Sequence, residues 1–399
     1  MFERACIAPQ GQSREYARTT RRSLRISVAL LLATSLLISC SSSDTPVPPV
    51  PSTTSAALAP EFVVAIGADG LALAGTDWLA RVDGIEPAES DPRGQLVAGI
   101  DAARAAVVYA DHIAVVQQHR PAIIADCVDC VGVAVTDRFI VTSRRNFTPG
   151  NGFDLVLFEH DLSTSRAVPA QRLEERATTD YPAENDESPI TLAADEERIT
   201  VGYVARDGGY RRGPSIIAQY AFDGRLLAST KIMGLLGRSA VSPDGRRLAV
   251  GAGGSSGYCH THYAPVMIDL GSLRVQPVEP AVPQVDSDTA DPWFFLTDLQ
   301  WAADKLIATG ELHNPPENDI CDPEPQIWQR TVDPTTGAPV DSGDHRAIFA
   351  RWIGPGCDDV LTVGGNYPDR VLSRGSGERL GRYHRIGLGR PAPAGCPQP

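Results

Sequence analysis

The residues that could do chemistry in this chain are eight cysteines, eight histidines and forty-nine acids in 399 residues. Two cysteines, Cys6 and Cys40, fall in the first forty residues. Six remain: Cys127, Cys130, Cys259, Cys321, Cys357 and Cys396. An even set in an exported chain reads as disulfides, here up to three. Cys127-Val128-Asp129-Cys130 can close a small loop locally, and a bridge between Cys357 and Cys396 would pin the C-terminus. A redox CxxC needs a helix N-terminus to depress its thiol pKa, and no helix is legible after Cys130. A zinc site could draw on Cys127, Cys130, Cys259, His260 and His262, but consecutive ligands on a strand point to opposite faces and no second CxxC exists. Disulfides are the better reading.

The other polar clusters sit in four long insertions: 176–189, 251–263, 280–292 and 312–325. Long connections are where binding residues gather. Tyr258, His260 and His262, together with Arg211 and Asp319, are the candidates for a ligand face. Asp286, Asp288 and Asp291 offer the hard oxygens calcium takes, yet the loop lacks the glycine and terminal glutamate of an EF-hand. A solvated acidic turn fits that loop better, and no cofactor is expected.

Nucleophilic and cofactor chemistry leave no motif. The sequence has no GxSxG elbow, no P-loop and no glycine-rich dinucleotide turn. A glycosidase needs two facing carboxylates, and among forty-nine acids no pair can be chosen. The formal net charge of −13 argues against a nucleic-acid partner, which requires a basic face.

The elements that must position these residues are strands. From residue 61 the chain runs in short apolar stretches broken by Gly, Asp and Pro, without a sustained 3.6-residue pattern. A unit recurs: apolar strand, Asp-centred turn, apolar strand. Its copies are 62–75, 107–116, 133–142, 191–201, 239–251, 299–310 and 350–364, with turn acids Asp69, Asp111, Asp137, Asp195, Asp244, Asp304 and Asp358. The mean interval of about 48 residues is that of a β-propeller blade. The interval from Asp111 to Asp137 is too short for a full blade, so seven blades are expected with six as the alternative. The ring would close by pairing a strand near 62–67 with one near 380–388.

Ser242-Pro243-Asp244-Gly245-Arg246-Arg247-Leu248-Ala249 resembles the SPDGxxLA hairpin of WD40-like, TolB-type propeller repeats. The close match covers about ten residues, and the other copies are degenerate. The resemblance implies an all-β propeller that binds a protein or envelope ligand on one face of its ring.

The first forty residues read as an address. Six arginines in residues 1–25 precede the thirteen-residue apolar run Ile26–Ile38, too short to span a bilayer but right for a signal core. Leu37-Ile38-Ser39-Cys40 resembles the bacterial lipobox. That resemblance implies removal of residues 1–39 and a lipid on Cys40. Thr20-Arg21-Arg22-Ser23-Leu24-Arg25 also resembles a twin-arginine export motif. The leader carries six positive and two negative charges, so its loss takes the chain from −13 to −17. Residues 40–60, rich in Ser, Thr and Pro, read as an extended tether.

The sequence therefore specifies a lipoprotein signal (1–39), a tether (40–60), a propeller (61–390) and a tail (391–399). The expected protein is a monomer of the cell envelope, anchored to membrane through Cys40, that binds a protein or envelope ligand without catalysis. An extracytoplasmic hydrolase or lyase on the same face is the alternative.

Overall fold

The computed structural model describes strands, turns and short loops between residues 62 and 388. Residues 1–61 and 389–399 lie outside the described residues, as do the internal stretches 83–96, 146–151, 174–187, 205–214, 279–292, 314–325, 339–348 and 365–370 and some shorter ones. The signal, Cys40, the tether and the tail therefore fall outside them. Among the described residues there is no helix.

The strands form antiparallel meanders in chain order. The first runs through Val63–Gly67 (β1), Gly70–Ala74 (β2) and Leu79–Val82 (β3). The second holds Val97–Asp101 (β4), Arg104–Tyr109 (β5), His112–Gln117 (β6) and Arg120–Asp126 (β7). The third holds Cys130–Val135 (β8), Ile140–Arg145 (β9), Phe153–Phe158 (β10) and Ser165–Pro169 (β11). The fourth holds Ser188–Ala194 (β12), Ile199–Val204 (β13), Ser215–Tyr220 (β14) and Leu226–Ile232 (β15). The fifth holds Leu235–Val241 (β16), Arg247–Gly257 (β17), His260–Asp269 (β18) and Val275–Pro277 (β19). Next come Trp293–Ala302 (β20), Lys305–His313 (β21) and Gln326–Val332 (β22). The last meander is Phe349–Trp352 (β23), Val360–Gly364 (β24), Val371–Arg374 (β25) and Arg379–Arg382 (β26), followed by Arg385–Leu388 (β27).

Hydrogen bonding groups these strands into six sheets. The eight-stranded one is the third and fourth meanders joined at their first strands by a parallel bridge, Thr191 to Gly132. Gly132 has φ +73°, and a side chain there would run into the Thr191 backbone, so glycine is what lets β8 and β12 touch. The ring closes as expected: β27 joins the first sheet beside β1, with Val63 opposite Leu388 and Ile66 opposite Arg385. One C-terminal strand and three N-terminal strands thus share a sheet.

Packing follows from the period-2 alternation of the strands. On β5, Ala105, Val107 and Tyr109 pack against Val64, Leu71 and Leu73 of the first sheet. Their neighbours Ala106 and Val108 pack the other way, against Val133, Ile140 and Phe158 of the third meander. The same alternation carries the core from the third meander to the fourth, fourth to fifth, and fifth to the β20–β22 sheet. Val63, Ala65, Ala72 and Ala74 meet Leu361, Leu372 and Leu380, which joins the last sheet to the first. First strands of successive meanders also approach one another: β27 and β4, β4 and β8, β8 and β12, β12 and β16, β16 and β20. Sheets stacked face to face in cyclic order, with their first strands innermost, make a β-propeller.

Candidate functional site

Alternating strand direction sorts the connections onto two ends of the sheets. Turns between first and second strands, and between third and fourth, share one end, here called the turn face. Connections between second and third strands, and from one meander to the next, share the other, the loop face.

The turn face is closed by short turns with internal hydrogen bonds. Asp195 Oδ1 accepts from the amides of Glu197 (2.8 Å) and Arg198 (2.7 Å). In the SPDG turn the Ser242 hydroxyl donates to Asp244 Oδ1 (2.6 Å) and accepts from the Arg247 amide (2.9 Å). Asp269 Oδ1 accepts from the Ser272 amide and hydroxyl (2.8 and 2.7 Å), and Asp333 Oδ1 from the amides of Thr335 and Thr336 (2.7 and 3.2 Å). At Asp244, Asp269 and Asp333 these bonds favour the ionised carboxylate. The Ser242 hydroxyl holds Asp244 below the ordinary carboxylate value, the Ser272 hydroxyl does the same for Asp269, and the Ser163 hydroxyl for Asp161. The Thr335 amide does so for Asp333.

Two turn acids are placed differently from the sequence reading. At 136–139 it is the Thr136 hydroxyl, not Asp137, that accepts from the amides of Arg138 and Phe139 (3.2 and 3.0 Å). In the last copy Asp359, next to Asp358, accepts from the Gly356 amide (2.7 Å). Threonine and aspartate do the same work in a turn, and the apolar pattern cannot tell which of two adjacent acids is aimed inward.

The turn face is also stitched between sheets. Arg198 Nη1 and the buried Gln219 Nε2 both donate to the Leu270 carbonyl (3.2 and 2.7 Å), Trp301 Nε1 to the Ala240 carbonyl (3.1 Å), and Gln276 Nε2 to the Thr335 carbonyl (2.9 Å). Leu162 and Leu273 hold left-handed backbone (φ 55° each) yet are buried between sheets; burial offsets a strain that glycine carries freely at Gly224, Gly337 and Gly377.

Most of the candidates fall in stretches of sequence that connect strand ends at the loop face. Stretches 205–214 (Arg211), 258–259 (Tyr258, Cys259) and 314–325 (Asp319, Cys321) each lie between a second and a third strand. The Asp286, Asp288 and Asp291 loop enters β20 from the preceding meander. These residues, and Cys396, lie outside the described residues. His260 and His262 are placed on β18, with His262 opposite Gly254 and His260 opposite Gly257. Among the described residues the hairpins β17–β18 and β20–β21 contain the longest strands, and β18 lies against β20. Of the described candidates, Cys127 and Cys130 lie at the loop face, whereas Cys357 lies in the turn between β23 and β24, at the other end of the sheets.

The described part of this face adds three residues that the sequence reading missed. Tyr109 and His112 flank the β5–β6 turn with their rings stacked (centroids 5.6 Å, interplanar 16°). His112 Nε2 lies 3.6 Å from Asp126 Oδ1 at the end of β7. Burial raises the Tyr109 hydroxyl pKa. The signal available was the alternation itself, which places Tyr109 and His112 opposite each other across the hairpin and His112 opposite Asp126.

Beside them, Cys127 and Cys130 form a disulfide with Cα atoms 5.5 Å apart, and the Cys127 amide donates to the Asp111 carbonyl (2.7 Å). Asp129 takes the left-handed backbone (φ 60°) that so tight a link needs. The bridge removes both thiols from any metal set. Cys357 is disulfide-bonded as well. Among the described residues no three His, Cys, Asp or Glu side chains gather as metal ligands.

No family model matches the chain, and no curated protein matches it. Solved structures share its chain course at low likeness. The dihydro-heme d1 dehydrogenase NirN in complex with DHE is 14% identical, with 82% of this chain and 74% of that chain covered and a TM-score of 0.41. Citrobacter koseri AztD is 11% identical over 83% and 98%, with a TM-score of 0.39. BamB from Moraxella catarrhalis is 10% identical over 82% and 88%, with a TM-score of 0.33.

Proposed function

We propose that this chain is a cell-envelope lipoprotein whose propeller binds a protein or envelope ligand on its loop face, without catalysis. In this reading residues 1–39 are a signal, Cys40 is the lipid-bearing N-terminus and 40–60 is a tether. The body over 61–390 then counts as seven blades, with the eight-stranded sheet taken as two. The tail 391–399 follows it.

One observation carries the binding reading. Three of the four long insertions read from the sequence, 176–189, 280–292 and 312–325, join strand ends at one end of the sheets, the fourth, 251–263, being mostly the strands β17 and β18, while most described turns at the other end use their own carboxylates or hydroxyls. A surface that varies in loop length over a rigid scaffold is suited to recognition. The acid excess sets the partner's chemistry: neither nucleic acid nor a bare anionic membrane surface complements it.

The test has two arms. Full-length protein made in a bacterial host should enter the detergent phase, and Cys40→Ala should move it to the aqueous phase; equal partition of both would refute the anchor. Separately, capture from solubilised envelope should lose its ligand when 314–325 is replaced by a short turn, and keep it when Asp333 on the turn face becomes Asn. The reverse pattern would refute the loop face as the binding surface.

A second reading, an extracytoplasmic hydrolase or lyase, draws on the row Tyr109, His112 and Asp126, where a carboxylate stands beside an imidazole and a buried phenol. His112→Ala would abolish turnover under that reading and leave a scaffold's ligand capture intact.

A further inference from the structure

We propose that the outer strand β7 is a self-association edge, along which two copies of this chain pair antiparallel. The large apolar side chains exposed among the described residues are Leu79, Ile123, Ile124, Val128, Leu227 and Met233. Three of them fall within 123–128, with Ile123, Ile124 and Val128 exposed by 38, 45 and 54%. Ile123 and Ile124 alternate, so both sides of the strand show apolar surface. β7 ends its sheet, with β6 as its one strand neighbour, so its outward amides and carbonyls have no partner strand in that sheet.

Three other outer strands carry charge within them. β11 carries Arg166 inside it, β3 carries Arg81, and β15 pairs exposed Leu227 with Ser229, Thr230 and Lys231. Such charges on an edge deter pairing with another chain. β7 reads Arg-Pro-Ala-Ile-Ile-Ala-Asp. Its charges stand at the two ends and have opposite signs, with an uncharged centre between them. The register slip against β6, between Val115 and Gln117, lies at the Pro121 end and leaves Ile123 to Asp126 as regular edge.

That pattern selects the occupant. Antiparallel pairing of two β7 strands sets the Arg120 end of each copy against the Asp126 end of the other, with the isoleucines crossing in the middle. Parallel pairing would set like charges together. The complementarity appears twice because the arrangement is two-fold symmetric. A seven-residue edge is small beside the roughly 1,600 Å² of a standard interface. The dimer is therefore weak and concentration-dependent, in place of the monomer expected from the sequence. The pairing does not depend on the lipid anchor or on the loop-face ligand.

Sedimentation velocity of the full chain in detergent, over a concentration series, tests this. Self-association should appear as concentration rises. Ile124→Lys should weaken it by about tenfold or more, because the charge sits in the uncharged centre. Arg120→Asp and Asp126→Arg should each weaken it by roughly threefold, and the double swap should restore it. Absence of dimer at the highest concentration would overturn the proposal. So would single swaps without effect, or a double swap that fails to restore, since pairing to any other partner would not be rescued by exchanging the two charges.

Discussion

The two faces of this propeller are built from the same strands yet obey different rules. On the turn face the described connections are short, in most of them a carboxylate or hydroxyl accepts backbone amides of its own turn, and side chains such as Gln219 and Trp301 tie one sheet to the next. On the loop face the connections range from two residues between β15 and β16 to eighteen between β11 and β12, and the described links there include the Cys127–Cys130 bridge and the Ser215 hydroxyl donating to the Gly234 carbonyl (2.7 Å). Polar groups on the first face are consumed by structure, whereas those on the second can be committed to a ligand. An acid-rich chain can therefore hold most of its legible acids in turns and show little of its chemistry in sequence.

The contrast can be broken most severely at the axis, which serves both faces. Gly132→Ala should cost about 2–4 kcal/mol in urea unfolding, since a Cβ meets the Thr191 backbone and the residue is held at positive φ. A loss below about 1 kcal/mol would mean that the β8–β12 bridge is dispensable. Ser242→Ala on the turn face should cost about 1 kcal/mol, because both the Asp244 carboxylate and the Arg247 amide lose a partner; a thermal melt compared with wild type measures it. Acid unfolding sharpens the same point. Asp244 and Asp269 are held below the unfolded carboxylate value of about 3.9, so their contribution is full above that pH and is lost as pH falls through their lower folded values. The double variant Asp244→Asn, Asp269→Asn should show a shallower stability loss below about pH 4. Both groups are largely exposed, so the change in slope is small. The least effect is expected on the loop face: replacing 205–214 with a short turn should change stability by less than about 1 kcal/mol, because closure entropy varies slowly with loop length. A large loss there would erase the distinction between the faces.

Much of the architecture was legible because burial on both sides of a strand leaves a strong apolar trace. The seven copied units are all hairpins of the structure, and the closing pair 62–67 with 380–388 is β1 with β27. The short interval between Asp111 and Asp137 has a simple cause. The first two copies are hairpins of second and third strands (β1–β2 and β5–β6), while the later five join first and second strands. The repeat changed phase because the first turn of the second meander, Asp101 to Arg104, carries no Asp-Gly signal and passed unread. Candidate residues were legible as loop composition, and most of them fall outside the described residues. The row Tyr109, His112 and Asp126 was not legible. Its members come from the ends of three strands, and only the register brings them side by side.

The sheet shared by β1, β2, β3 and β27 has a temporal consequence. The inner edge of β1 is made first and receives its neighbour last, after nearly the whole body has emerged. Until residues 385–388 arrive, that edge is an open template, and the slow long-range contact sets the pace of completion. A nascent chain of this design needs guarding during biogenesis, and a stop codon before residue 385 would leave a ring that never latches.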